Sequence, residues 1–110
     1  MEKEKLELLQ GTLDMLILKS LVIGQNHGYG IAQWIRQSSE NVLSVEEGSL
    51  YPALRRLEQR ELIASTWGIS DNNRRARFYE ITPTGRAYLT EETSRWEVMR
   101  EAISRVLQTA

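Results

Sequence analysis

The chain has 110 residues, 41% of them hydrophobic and 26% charged, with no cysteine, one histidine and a formal charge of −1. That size fits one domain with a modest core, in which a long element needs cover from a second copy, and the lack of cysteine excludes a disulfide framework and thiolate chemistry, as suits a reducing cytoplasm. Near-neutral charge excludes a uniformly basic nucleic-acid glue, so any nucleic-acid site must be a local patch.

The opening MEKEKLELLQ mixes charges and does not read as a secretory leader. Thr12 is placed to cap a helix running to about Val22, because Leu13, Leu16, Ile17, Ser20 and Leu21 recur at helical spacing and Gly24 supplies a stop. Met15, Leu18 and Val22 widen that stripe, which makes this helix the central one. Its apolar run is broken by Lys19 and Ser20 and is too short to cross a bilayer. GQNHGYG reads as a turn-rich connector, followed by a second helix from about Tyr29 to Ser39 with Ile31, Trp34 and Ile35 on one side. A third helix covers about Glu47 to Arg60, with Leu50, Leu54 and Leu57 inward.

After Glu61 the period changes to two. Ile63, Trp67 and Ile69 alternate with polar or small residues, SDNNRR makes a turn, and Arg77, Tyr79 and Ile81 alternate again, which predicts a hairpin. Thr82-Pro83 then supplies an N-cap and a proline at the first helical position. The helix that follows runs about 25 residues, nearly 40 Å, too long for so small a domain to cover. Three helices, a hairpin and a long helix define an α+β, mainly α class: a winged helix-turn-helix over residues 1–81 with a C-terminal dimerisation helix over 82–110.

The stretch GSLYPALRRLEQRELI, residues 48–63, begins a helix with two poor helix formers. Pro52 costs least near an N-terminus, and its ring presses toward the carbonyl of Gly48. Gly48 in turn lets the helix start approach a phosphate closely, and Ser49 and Tyr51 add hydroxyl donors there. Arg55 and Arg56 look outward or sideways, where arginine pairs with guanine or clamps phosphate. An isolated arginine pair is more often solvated helix surface; the second cluster, Arg74, Arg75 and Arg77 on the wing, makes DNA contact the stronger reading.

Together with HGYGIAQWI upstream and RRARFYEITPTGRAYL downstream, this stretch resembles the PadR family of bacterial transcriptional regulators, in its short form with one C-terminal helix. The resemblance covers roughly residues 8–108 and rests on G-[ST]-L-Y-x-x-L-x-R-L-E, a strand pair and T-x-x-G. It implies a homodimeric DNA-binding protein, usually a repressor of genes for phenolic-acid detoxification, drug efflux or other transporters. Carried over by position, Gly48, Ser49 and Tyr51 match the start of the recognition helix, Arg55 and Arg56 its basic positions, and Arg74, Arg75 and Arg77 the basic wing. Tyr29 matches a tyrosine near the DNA backbone, with packing under the wing as the alternative. The sequence departs from the pattern at Glu61, commonly glycine, and at Glu46-Glu47, commonly serine-proline.

On the last helix Leu89, Trp96, Met99, Ile103 and Val106 form a heptad-like seam with one polar gap, suited to a second copy of the chain or to packing on the first helix. In some members that the chain resembles, a tryptophan at the position of Trp96 faces its dimer mate and sandwiches a small planar aromatic ligand; a large knob of the dimer core without a ligand is the reading favoured here, because one tryptophan at a seam position makes no cavity. No enzyme constellation is visible: His27 lies in a turn and Glu46-Glu47 point apart, so no metal site, cofactor or acid/base pair is expected.

The sequence thus predicts a cytoplasmic homodimeric repressor on double-stranded DNA with a palindromic operator, with no membrane association. The other classes it allows are a winged-helix protein-interaction module and a small-molecule carrier.

Overall fold

The computed structural model describes residues 8–110, so the reading of MEKEKLE lies outside the described residues. In chain order it has helix α1 (Gln10–Ser20), strand β1 (Asn26–His27), helices α2 (Gly28–Ser38) and α3 (Glu47–Gln59), strands β2 (Ile63–Ile69) and β3 (Arg75–Ile81), and helix α4 (Pro83–Gln108).

The core is built on α1, as its broad apolar surface predicts. Leu13, Ile17, Leu18 and Leu21 meet Ile31 and Ile35 of α2 and Leu50, Ala53, Leu54 and Leu57 of α3. Each leucine or isoleucine among them contributes about 1.5–3 kcal/mol by leaving water. Leu62, Ile63 and Tyr79 carry the core under the sheet. The α1 boundaries differ from the expectation: the helix starts at Gln10 after Leu9, which makes no capping bond, and Thr12 lies inside it. It closes at Leu21, whose N–H donates to the Leu18 carbonyl at 3.1 Å, before Gly24 is reached.

The predicted hairpin is the larger part of a three-stranded antiparallel sheet of order β1-β3-β2. Strand β1 sets Asn26 opposite Tyr79 and His27 opposite Phe78. Two residues carry no readable period, which is why the connector looked like turn alone. His27 also caps α2, its Nδ1 accepting from the Gly30 N–H at 3.1 Å. In the hairpin, Ser65 faces Tyr79, Trp67 faces Arg77 and Ile69 faces Arg75. Ile63, Ser65, Trp67 and Ile69 therefore share one face, but the strands outrun the core: Ile63 is buried while Trp67 and Ile69 are exposed. Asn73 closes the wing turn at φ 58°, a conformation asparagine tolerates.

Helix α3 ends in a crossed pair of bonds, Leu62 N–H to Leu57 O and Glu61 N–H to Glu58 O, both 3.0 Å. This motif needs a left-handed residue, and Glu61 supplies it at φ 60°. Here the departure from glycine leaves the turn intact but strained. Glu61→Gly is expected to raise stability by about 0.5–1 kcal/mol, the relief of the side chain's steric cost less the extra entropy glycine gives the unfolded chain. A urea titration at fixed protein concentration checks it.

The same turn receives α4. Thr82 donates through Oγ1 to the Glu61 carbonyl at 2.8 Å and through its N–H to the Leu62 carbonyl at 3.1 Å. Its Oγ1 accepts from Gly85 N–H at 3.0 Å, the predicted cap. Gly85 packs against the Leu62 carbonyl so closely that a Cβ there would overlap it, which explains the T-x-x-G spacing. The Arg60 guanidinium lies 4.7 Å above the Tyr88 ring and Leu89 enters the core, so the first turns of α4 rest on the domain. Leu89 is thus a core residue of this chain, so at this position the seam packs back on its own domain and is not left for a second copy. Trp96, Met99, Ile103 and Val106 are exposed farther along the helix.

Candidate nucleic-acid interface

The amphipathic α2 and α3 bury their leucine and isoleucine faces, and α2 together with Tyr51 of α3 stands opposite the wing. Between them lies a concavity of about 900 Å³ lined by Tyr29, Gln33, Tyr51, Trp67, Arg74, Arg75 and Arg77, among others. Gly28 makes part of this shape: a Cβ there would meet the Tyr51 ring at 3.1 Å, so its absence lets Tyr51 lie over the start of α2. Tyr29 lines the same concavity and is exposed, its hydroxyl accepting a long 3.4 Å bond from Gln33 Nε2. That placement favours the open position over packing beneath the wing.

Gly48 and Ser49 occupy the exposed first turn of α3, and space around Gly48 is empty to 4 Å. Glu46 makes no capping bond there. Pro52 lies inside the helix, beyond the first turn, and leaves the Gly48 carbonyl without its helical donor. Arg55 follows Tyr51 by one helical turn on the same exposed face.

Arg56 is the exception among the expected residues. It turns back under the helix, Nη2 donating to Asp14 Oδ1 of α1 at 3.0 Å, with side-chain exposures of 33% and 6% for Arg56 and Asp14. Burial pushes the Asp14 carboxyl above its ordinary value of 3.8, and it outweighs the hydrogen bond and charge of Arg56 and the charge of Arg60, which pull the other way. The reading of both arginines as outward or sideways thus separates into an exposed Arg55 and an Arg56 that is tied to α1. Asp14 went unread although it shares the buried stripe of Ile17, Leu18 and Leu21 at helical spacing, where a carboxylate requires a cation from elsewhere.

The wing arginines also differ among themselves. Arg77 is anchored to α3: its Nη2 reaches Glu58 Oε2 at 3.3 Å, and its Nε donates to Ser65 Oγ at 2.8 Å. The Ser65 hydroxyl donates in turn to Glu58 at 2.6 Å. Arg74 and Arg75 are exposed and make no ion pair among the described residues. Arg75 stacks on Trp67, its Cζ 4.4 Å from the ring centroid. Among the described residues there is no group of three His, Cys, Asp or Glu able to hold a metal ion, and no helix long and apolar enough to cross a membrane.

A second concavity, about 750 Å³, lies between α1 and α4 and is mostly apolar, with Met15, Leu16, Val22, Leu43, Leu89 and Trp96 on its walls.

A helical trio whose third member stands beside a basic wing, followed by a long C-terminal helix, defines a winged helix-turn-helix protein. The profile of the Transcriptional regulator PadR-like family matches residues 17–91. A transcriptional regulator of Mycobacterium tuberculosis is 39% identical over 79 residues, 70% of this chain and 73% of that protein. Among solved structures, a transcriptional regulator from Clostridium thermocellum superposes with a TM-score of 0.80 at 32% identity, covering 87% of this chain and 93% of that one. A PadR family transcription regulator from Clostridium difficile gives 0.74 at 30% identity over 86% and 97% of the two chains. The chain belongs to the PadR family of transcriptional regulators and is a DNA-binding regulator.

Proposed function

We propose that the protein is a cytoplasmic homodimeric repressor that binds a palindromic operator and is released by a small planar aromatic effector. The observation that carries this reading is the single concavity that brings Tyr29 and Tyr51 beside Arg74 and Arg75, with Arg55 one turn along the same helix face. Arg55 reads base edges in the major groove; Gly48, Ser49, Tyr51 and Tyr29 set the register on the backbone; the wing arginines meet flanking DNA. Arg56 acts through Asp14, fixing α3 against α1.

The dimer is supported by the exposed Trp96, Met99, Ile103 and Val106 on α4, which a second copy would cover, so that residues 1–81 present DNA-binding elements and 82–110 pair them. The effector is supported by the apolar α1–α4 groove, where Trp96 offers an indole for stacking. Effector binding would alter the angle between the two winged domains.

Fluorescence anisotropy against DNA upstream of the protein's own gene, beside scrambled DNA of equal length at two salt concentrations, tests the DNA arm, with sedimentation equilibrium for the dimer. Preferential, salt-sensitive binding supports the reading. Equal weak binding to both fragments, with no enrichment from genomic DNA, favours a protein-contact module or a carrier. A Trp96→Ala variant that binds DNA and responds to planar aromatic compounds as the parent does would remove the effector assignment.

A further inference from the structure

Trp67 is the largest side chain on the wing, yet it is 59% exposed and packs in no core. Its neighbour on the same face, Ile69, is exposed too. A wing that only touched phosphates would need cations and no indole. The ring instead holds two of them: Arg75 at 4.4 Å and Arg77 at 5.8 Å from its centroid. Arg77 is also fixed by Glu58 and Ser65, while Arg75 has no acid partner among the described residues. The indole therefore holds the Arg75 guanidinium against its face, on the wall of the concavity that Tyr29 and Tyr51 also line.

We propose that Trp67 and Arg75 act as one minor-groove probe of DNA, making the flanks of the operator a determinant of specificity. The proposal rests on the DNA-binding reading above. A minor groove is about 6 Å wide, which admits a guanidinium but leaves the broader indole at the rim. Its narrow A·T-rich form has the stronger negative potential and draws arginine in. The indole then lies against the deoxyribose walls, apolar surface on apolar surface, and holds the arginine at depth. Charge complementarity and continuity with the recognition-helix concavity select DNA as the occupant over an acidic protein, which would have no use for groove width.

The test uses the full chain and a duplex that it enriches from random DNA, rebuilt with either A·T or G·C flanks around an unchanged centre. The parent is expected to prefer the A·T flanks by about tenfold, comparable to one mismatched base pair. Trp67→Ala should lose most of that ratio while its salt slope stays with the parent's, because no phosphate contact is removed. Trp67→Phe should keep part of the ratio, and Arg75→Lys should lose it with the charge retained. Thermal unfolding of each variant confirms the fold, and the phenylalanine and lysine variants decide the matter if the alanine variant is unstable. A parent indifferent to its flanks, or variants with the parent's ratio, overturn the proposal alone. A parent that enriches no duplex overturns it together with the reading of the site.

Discussion

Replacing Arg56 with methionine is expected to cost about 2–3 kcal/mol of stability at neutral pH and to leave the salt dependence of DNA binding unchanged. Removing one member of a buried ion pair commonly costs about 3–5 kcal/mol, because the remaining charge has neither water nor partner. The figure is reduced here because Arg56 is one-third exposed and its charge is partly screened. The loss should depend on pH with a definite sign. Burial holds the Asp14 carboxyl above 3.8 even beside Arg56, so between 3.8 and the folded value the folded chain binds more protons than the unfolded one. This group's stabilisation is present in full below 3.8 and is lost as pH rises through the folded value. Without the hydrogen bond and charge of Arg56 that folded value climbs further. The deficit of Arg56→Met is therefore greatest near pH 7 and shrinks on acidification, which denaturant titrations at neutral pH and at about pH 4.5 with fixed protein concentration would measure. Equal deficits at both would show that Asp14 stays ionised in the folded variant.

The double replacement Arg74→Ala, Arg75→Ala is expected to weaken operator binding about 100-fold at moderate salt and to flatten the logarithmic salt dependence by about 1–2. Both side chains are exposed without an acid partner among the described residues, so their full charge is available to displace counterions. Stability should change little, since neither residue is buried. Arg77→Ala should show a different balance: its bonds to Glu58 and Ser65 join the wing to α3, so part of its effect appears as lost stability. Anisotropy titrations across a salt series, paired with thermal unfolding, separate the two behaviours. An unchanged salt slope in the double variant would place the DNA on another face.

The sequence exposed those features that repeat or that follow local backbone chemistry. Leu50, Leu54 and Leu57 announced the buried face of α3, and Thr82-Pro83 announced the start of α4, because helical period and cap chemistry are local. What it concealed was decided between distant segments. Asp14 and Arg56 are 42 positions apart, and only the packing of α1 on α3 turns one of two adjacent arginines inward. Trp67 was read as part of an alternating strand, since period two shows which residues share a face but not where the core ends along it. Leu89 fitted a heptad seam and lies in the core for a similar reason: the spacing is right for both, and the docking of Gly85 on the Leu62 carbonyl decides between them.

The two-residue strand Asn26–His27 has a consequence out of proportion to its length. His27 caps the start of α2 with its ring, pairs its backbone with Phe78 of β3, and sets its imidazole edge-on to the Phe78 ring at 5.4 Å. The wing is thereby riveted to the helix pair at its root, and Arg77 rivets it again to α3. In the proposed complex these fastenings make each protomer a fixed gauge: the stretch of DNA between the bases under α3 and the flank under the wing is measured off by the protein at one length. In such a complex, slack in the operator would be absorbed only between the two proposed half-sites, where paired α4 helices would set the spacing.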